Sequence, residues 1–187
     1  MAQATTGEIL DFWFVATGRG KWFKKDPAFD RAIKERFEAT AQARAEELQR
    51  RGWSAWETNP KGTLALVLLL DQFPRNMYRD EPGSFAWGDL VLAVAKRAID
   101  NGYDMDTLIE SRSFFYMPFM HSEDLADQDR CCELTSTRLN QEATAKFARL
   151  HRDVIERFGR FPHRNEILGR KSTPQETAFL AEGGFTP

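Results

Sequence analysis

Asn59-Pro60-Lys61-Gly62-Thr63-Leu64-Ala65-Leu66-Val67-Leu68-Leu69-Leu70-Asp71-Gln72-Phe73-Pro74 is the stretch that decides the fold. Asn59 can cap a helix and Pro60 suits its first turn, where a missing N–H costs nothing. From Leu64 to Leu70 the run is apolar on every side of a helix, so this element is expected at a centre packed by neighbours all round. Seven residues are far below the ~20 that span a bilayer. Pro74 disfavours helical geometry at Phe73, which predicts the helix end there.

Outward from this centre, apolar residues recur at helical spacing, and no period-two alternation bounded by turn residues stands out. Ile9, Leu10, Trp13 and Phe14 form one stripe, with Thr6 as N-cap and Gly18 and Gly20 as the stop. Asp26-Pro27 opens a long helix whose inner face is Phe29, Ile33, Phe37, Ala41, Ala45 and Leu48, ending at Gly52. Ser84 is read as the cap of a helix running to Asn101-Gly102, followed by a short helix over 106–110. Ser122 with Glu123, Asp124 and Asp127 reads as the acid-rich start of another, which must break near Thr137–Gln141 before Gly159. Thr173-Pro174 with Glu176 at the capping-box position starts the last helix, which stops at Gly183. The expectation is a single all-α domain over residues 1–187, built from antiparallel helical hairpins stacked on one another.

Composition narrows the function classes. The net charge of -2 gives no global pointer to nucleic acid or to an anionic membrane, and neither is expected as a partner. Glu8 and Asp11 interrupt the amino terminus before an apolar stretch can form, which argues against a signal peptide and for a soluble cytoplasmic protein. Cys131 and Cys132 are adjacent, so they match neither a disulfide framework nor a zinc spacing. No glycine-rich phosphate loop, G-x-S-x-G elbow, H-E-x-x-H motif or dinucleotide fingerprint occurs, and the three His lack metal-site spacing, so no cofactor and no metal are expected.

Three blocks set charges directly against apolar runs: 70–79, 114–124, and 151–153 leading into 160–166. An unpaired buried charge costs several kcal/mol, roughly, so these charges must pair, line a pocket, or both. Asp71 needs a positive partner at a helix C-terminus, and Arg75 four residues on can supply it; alternatively Arg75 or Arg79 stands at a pocket mouth and grips a carboxylate or phosphate. The Phe114–Met120 run is core or cavity wall, and His121 follows it beside Glu123 and Asp124, placed for proton transfer or metal ligation. His151 shares one helical face with Phe147, Leu150, Val154 and Phe158 and therefore points inward, while Asp153 can pair with Arg157. Between Arg149 and Lys171 six Arg and one Lys face three carboxylates, a local excess of +4. Within it, Pro162–Glu166 reads either as a short helix whose first amides, beside His163 and Arg164 and with Arg160 and Arg170 nearby, hold an anion, or as a loop stapled by Arg and Asn hydrogen bonds.

The strings LDQFPRNMYR, FFYMPFMHSEDLADQ and HRDVIERFGRFPHRNEILGRKSTPQETAFL resemble the signature blocks of the bacterial family called domain of unknown function 924, and the likeness runs from GEILDFWF to EGGF. The resemblance implies a helical fold of the tetratricopeptide-repeat-like superfamily in a right-handed arrangement, and it implies no activity. It supports treating the three blocks as parts of one assembly in which Asp71, Arg75, His121, Glu123, His151, Arg160, His163 and Arg164 converge. Three functions are then ranked. The first is a binding module whose polar cavity holds a small anionic ligand or a peptide terminus. The second is a structural or interaction protein with buried ion-pair networks, and the third an acid/base enzyme using His and carboxylates.

Overall fold

The computed structural model describes residues 3–139 and 141–186, and among them the fold is all-helical with no strand. The chain divides into two compact units, one ending at Phe115 and one starting at Tyr116.

In the first unit, α1 (Thr6–Leu10) runs on as a π-helical segment, Asp11–Thr17. Its cap is Thr5 rather than Thr6: the Thr5 hydroxyl accepts from the Glu8 amide, and the Glu8 carboxylate accepts from the Thr5 amide at 2.7 Å. The wider π register turns the inner face, so Ile9, Phe12 and Trp13 are buried while Phe14 is half-buried. The long α2 (Pro27–Arg51) starts at the Asp26 cap, ends at Gly52 with φ 74°, and buries all six residues expected to face inward.

The central α3 (Pro60–Val67) continues as a π-helical segment, Leu68–Gln72, and then as α4 (Phe73–Met77). Every residue from Gly62 to Pro74 is buried, and α3 is flanked by α1, by α5 (Gly88–Asp100) and by the turns Ala55–Thr58 and Ser113–Phe115. Proline does not end this helix. The Phe73 amide donates to Leu68 five residues back, and this looser turn relieves the clash that Pro74 would make in a 3.6-residue helix. Ser84 also departs from its expected role: it lies in a 3-10 turn, Pro82–Phe85, donates to the Glu81 carbonyl, and leaves α5 to start at Gly88. The short helix expected over 106–110 is α6, Ile109–Arg112.

In the second unit, α7 (Met117–Met120) precedes α8 (Leu125–Arg138) and α9 (Glu142–Phe158). The break near residues 137–141 stands, with Asn140 outside the described residues. The two helices α8 and α9 pack against each other, and an ion pair from Arg152 to Asp129 at 2.6 Å ties them together. Asp124, not Ser122, caps α8, accepting from the Ala126 amide at 2.8 Å. A Thr173–Glu176 capping box opens α10 (Pro174–Ala181).

Candidate functional site

The first block lies in the first unit. The π-helical turn carries Asp71, which is 4% exposed and accepts from the Gln72 side-chain amide at 2.6 Å. Arg75 Nε stands 3.9 Å from the Asp71 carboxylate, and its guanidinium lies over the Phe85 ring. Helical continuity through Pro74 is what brings this pair into range. Burial pulls the Arg75 guanidinium below its ordinary value, and Asp71 opposes that shift. Arg79 is committed elsewhere: Nε and one terminal nitrogen donate to the two Asp30 oxygens at 2.9 and 3.0 Å, and Asn76 donates to the same carboxylate.

The second and third blocks meet in the second unit. His121 sits at the C-terminal end of α7, where the Gln128 side chain donates to the Met120 and Ser122 carbonyls and fixes the turn. Glu123 accepts from the Phe161 amide at 2.9 Å and from two Arg170 nitrogens at 2.7 and 3.1 Å. Burial pushes the Glu123 carboxyl up, but these bonds and the charges of Arg164 and Arg170 outweigh it and hold it below the usual carboxylate range. Arg164 donates to the His121 carbonyl at 3.1 Å. Its guanidinium carbon lies 4.2 Å from the centre of the Phe161 ring.

Phe161 is fully buried and is the hub of the cluster. The ring centres of His151 and His163 each lie 5.8 Å from it, and the rings of His121 and His151 are 6.4 Å apart. His151, on α9, points inward as its spacing implies and is 5% exposed. Its Nδ1 is 2.7 Å from the Phe147 carbonyl, four residues back. A carbonyl only accepts, so Nδ1 carries the hydrogen, and in the neutral ring Nε2 carries the lone pair. Phe147 itself is 53% exposed, contrary to its expected place on the inner face, because the buried line runs through Ala145, Ala148, His151 and Ile155.

Two further expectations change. Arg160 donates to both Glu176 oxygens at 2.6 and 2.8 Å and to the Lys171 carbonyl, which makes it the strut between α9 and α10. Pro162–Arg164 is a three-residue 3-10 turn whose Arg164 and Asn165 amides are used internally, on Phe161 and Pro162. The loop is stapled by side chains, as the second reading of that segment has it: Asn165 donates to Ser172 and Glu176, and Arg170 donates to Asn165. In place of the Asp153–Arg157 pair, Arg152 bonds Asp129 and Glu156, and Arg157 lies over Phe158 and Phe179.

Asp30 lies outside the three blocks and Glu176 already has a visible purpose as a helix cap, so nothing in their spacing marks them as the partners of Arg79 and Arg160. A cavity of about 410 Å³ in the first unit, lined by Gln3, Thr5, Arg44, Trp56 and Asn59 among others, includes none of the nine residues singled out from sequence. Among the described residues no group of three His, Cys, Asp or Glu is placed to hold a metal ion, and no helix is long and apolar enough to cross a membrane.

The family model for "Bacterial protein of unknown function (DUF924)" matches residues 9–184. The chain belongs to the DUF924 family. A solved structure of a protein of unknown function from Agrobacterium tumefaciens is similar to it, with 44% identity and a TM-score of 0.87 over 95% of this chain and 97% of that one. No curated protein matches. The DUF924 match spans both units and all three charged blocks, and the similar Agrobacterium structure extends the all-helical architecture to a second chain.

Proposed function

We propose that this DUF924 protein is a binding module for a small anionic ligand, a phosphate or a carboxylate such as that of a peptide terminus, held at the histidine cluster of the second unit. The observation that carries the reading is the gathering of His151, His163 and Arg164 on one buried ring, Phe161, with His121 6.4 Å from His151. Imidazole N–H groups and a guanidinium set around one ring offer an anion several donors at one place. The fixed His151 tautomer supports it further, since the Nδ1–H bond to Phe147 orients the ring before any ligand arrives. Arg79 and Arg160 are left out of the site, because Asp30 and Glu176 already use their guanidinium forks.

The test is a thermal-shift series of the purified protein against inorganic phosphate, acetate, succinate and a short peptide with a free carboxylate. A ligand at about 100 times its Kd adds about 2.7 kcal/mol of stability. A shift with one anion class that disappears in folded His163→Ala and His151→Phe variants supports the site. A flat series at saturating concentration moves the assignment to the second reading, a structural protein, which the closed Glu123–Arg170 and Arg160–Glu176 pairs favour.

A further inference from the structure

The segment between the π-helical turn and α2 reads Gly18-Arg19-Gly20-Lys21-Trp22-Phe23-Lys24-Lys25-Asp26. Four cations lie within seven residues, and all four are exposed. Between them Phe23 is 68% exposed, and Val15, on the segment that feeds the loop, is 77% exposed. A run of Lys alone is a solvated face, and its usual reading needs no partner. A large aromatic held in water at the centre of the run is a different matter, because its exposure is costly and here it is imposed by the neighbouring residue.

Trp22 is the anchor. Its ring stacks on Trp13 at 5.8 Å and 3°, its indole N–H donates to the Trp13 carbonyl at 2.8 Å, and it meets Phe114 edge-on at 5.0 Å. Gly18, at φ 71°, starts the turn, and the amides of Lys21 and Lys24 close it on Gly18 and Lys21. With Trp22 fixed inward, the loop presents Phe23 outward, flanked by Lys21 and Lys24. Among the described residues, Lys25 alone of these four cations has an ion-pair partner, the exposed Asp80 at 3.0 Å.

We propose that this loop docks the protein on an anionic phospholipid surface, with Phe23 entering the headgroup boundary and Arg19, Lys21 and Lys24 over the lipid phosphates. Lipid is favoured over a protein or nucleic-acid partner by the shape and chemistry of the tip. The tip is a turn presenting one exposed aromatic among exposed cations, point charges on flexible stems rather than a planar array of donors set to read base edges. Aromatic rings and Lys/Arg are the pair that partitions to a membrane interface. Each Lys or Arg near an anionic leaflet strengthens attachment by about fivefold, the equivalent of roughly 1 kcal/mol. The chain's overall charge of -2 is no obstacle, since the attraction acts only within about a Debye length, about 8 Å at physiological salt. Attachment of this kind is peripheral and needs no spanning helix.

The experiment is co-sedimentation of the full chain with vesicles of phosphatidylglycerol and phosphatidylcholine mixed, against pure phosphatidylcholine, at low and at about 0.5 M salt. Binding to the anionic vesicles that weakens with salt, falls at least twentyfold in Lys21→Glu/Lys24→Glu, and falls in Phe23→Ser with its salt dependence retained, is the expected result. Circular dichroism melting confirms that these surface variants remain folded. No binding to anionic vesicles, equal binding to both vesicle types, or a Phe23→Ser variant as tight as the parent overturns the proposal. So does preferential capture of the loop by a single-stranded oligonucleotide at the same salt, which would reassign it to nucleic acid.

Discussion

The ring of Phe185 meets His151 edge-on, with centres 5.1 Å apart and planes at 72°. Two glycines make that contact. Gly183 ends α10 at φ 75°, and Gly184 donates its amide to the Phe179 carbonyl at 2.9 Å while lying so close to the Phe179 ring that a Cβ would fall 2.4 Å from a ring carbon. Gly184→Ala therefore pushes the chain end off the helix and lifts Phe185 away from the histidine. The expected result is a loss of about 1–3 kcal/mol, with a change in the chemical shifts of the His151 ring protons as the Phe185 ring current is lost. Urea denaturation and proton NMR measure the two, and a variant with both unchanged refutes the contact.

Glu176 illustrates how a charge pair ties stability to pH. The Arg160 hydrogen bonds hold its carboxyl well below the usual range, at about 2, against an ordinary value of 4.5, and the Thr173 amide adds to the effect. Between those two values the unfolded chain binds the proton that the folded one refuses, so the contribution of the pair is complete above about 4.5 and drains away as the pH falls toward 2. Glu176→Gln is expected to lower the urea midpoint at neutral pH and to flatten its fall on acidification. An acid limb as steep as the parent's would show that other carboxylates, Glu47 and Glu123 first, carry the dependence.

The Asp30 carboxylate gathers three donors, two from Arg79 and one from Asn76, at 2.9–3.0 Å. Asp30→Ala leaves a partly buried guanidinium and the buried Asn76 amide without their acceptor, and is expected to cost about 2–3 kcal/mol. Adding Arg79→Leu to Asp30→Ala should recover part of that loss, because the orphaned charge goes with it. A double variant no more stable than the single one, in urea denaturation, would remove the orphaned-charge explanation.

What the sequence showed and what it hid divide along one physical line. Helix starts at Asp26-Pro27, Asn59-Pro60 and Thr173-Pro174 were legible because a cap is decided by residues within one turn of each other. The burial of Leu64–Leu70 and of His151 was legible because periodicity reports a face. Pro74 was misleading, since its effect depends on the register of the turn before it, and that π register is set by packing rather than by any local rule. The partners of Arg79 and Arg160 were hidden for a related reason: Asp30 lies 49 residues away and Glu176 sixteen, and one chain's pattern carries no record of such pairs. By sequence alone those two arginines read as ligand-binding groups, whereas in the fold their guanidinium forks are taken by Asp30 and Glu176. His163 and Arg164 meet on the ring of Phe161, an ordinary core aromatic by composition, and no local pattern announces that meeting.

The glycines of the central and fifth helices give opposite expectations from the same substitution. At Gly62, in the first turn of α3, a Cβ would stand 2.3 Å from the Trp56 carbonyl oxygen, which is backbone and cannot swing aside. The turn that carries Trp56 would have to move, and with it the Ser54 hydroxyl that donates to Glu47 at 2.7 Å. Gly62→Ala is expected to cost about 3 kcal/mol. At Gly88, the first residue of α5, nothing lies within 4 Å of the added carbon and the backbone is not in the left-handed region. Gly88→Ala should stabilise by about 0.5–1 kcal/mol, since the substitution restricts the unfolded chain and fits a helical residue without strain. Denaturant midpoints of the two variants, measured side by side, should fall on opposite sides of the parent. If Gly62→Ala matches the parent, the tight approach of the Ala55–Thr58 turn to α3 is wrong.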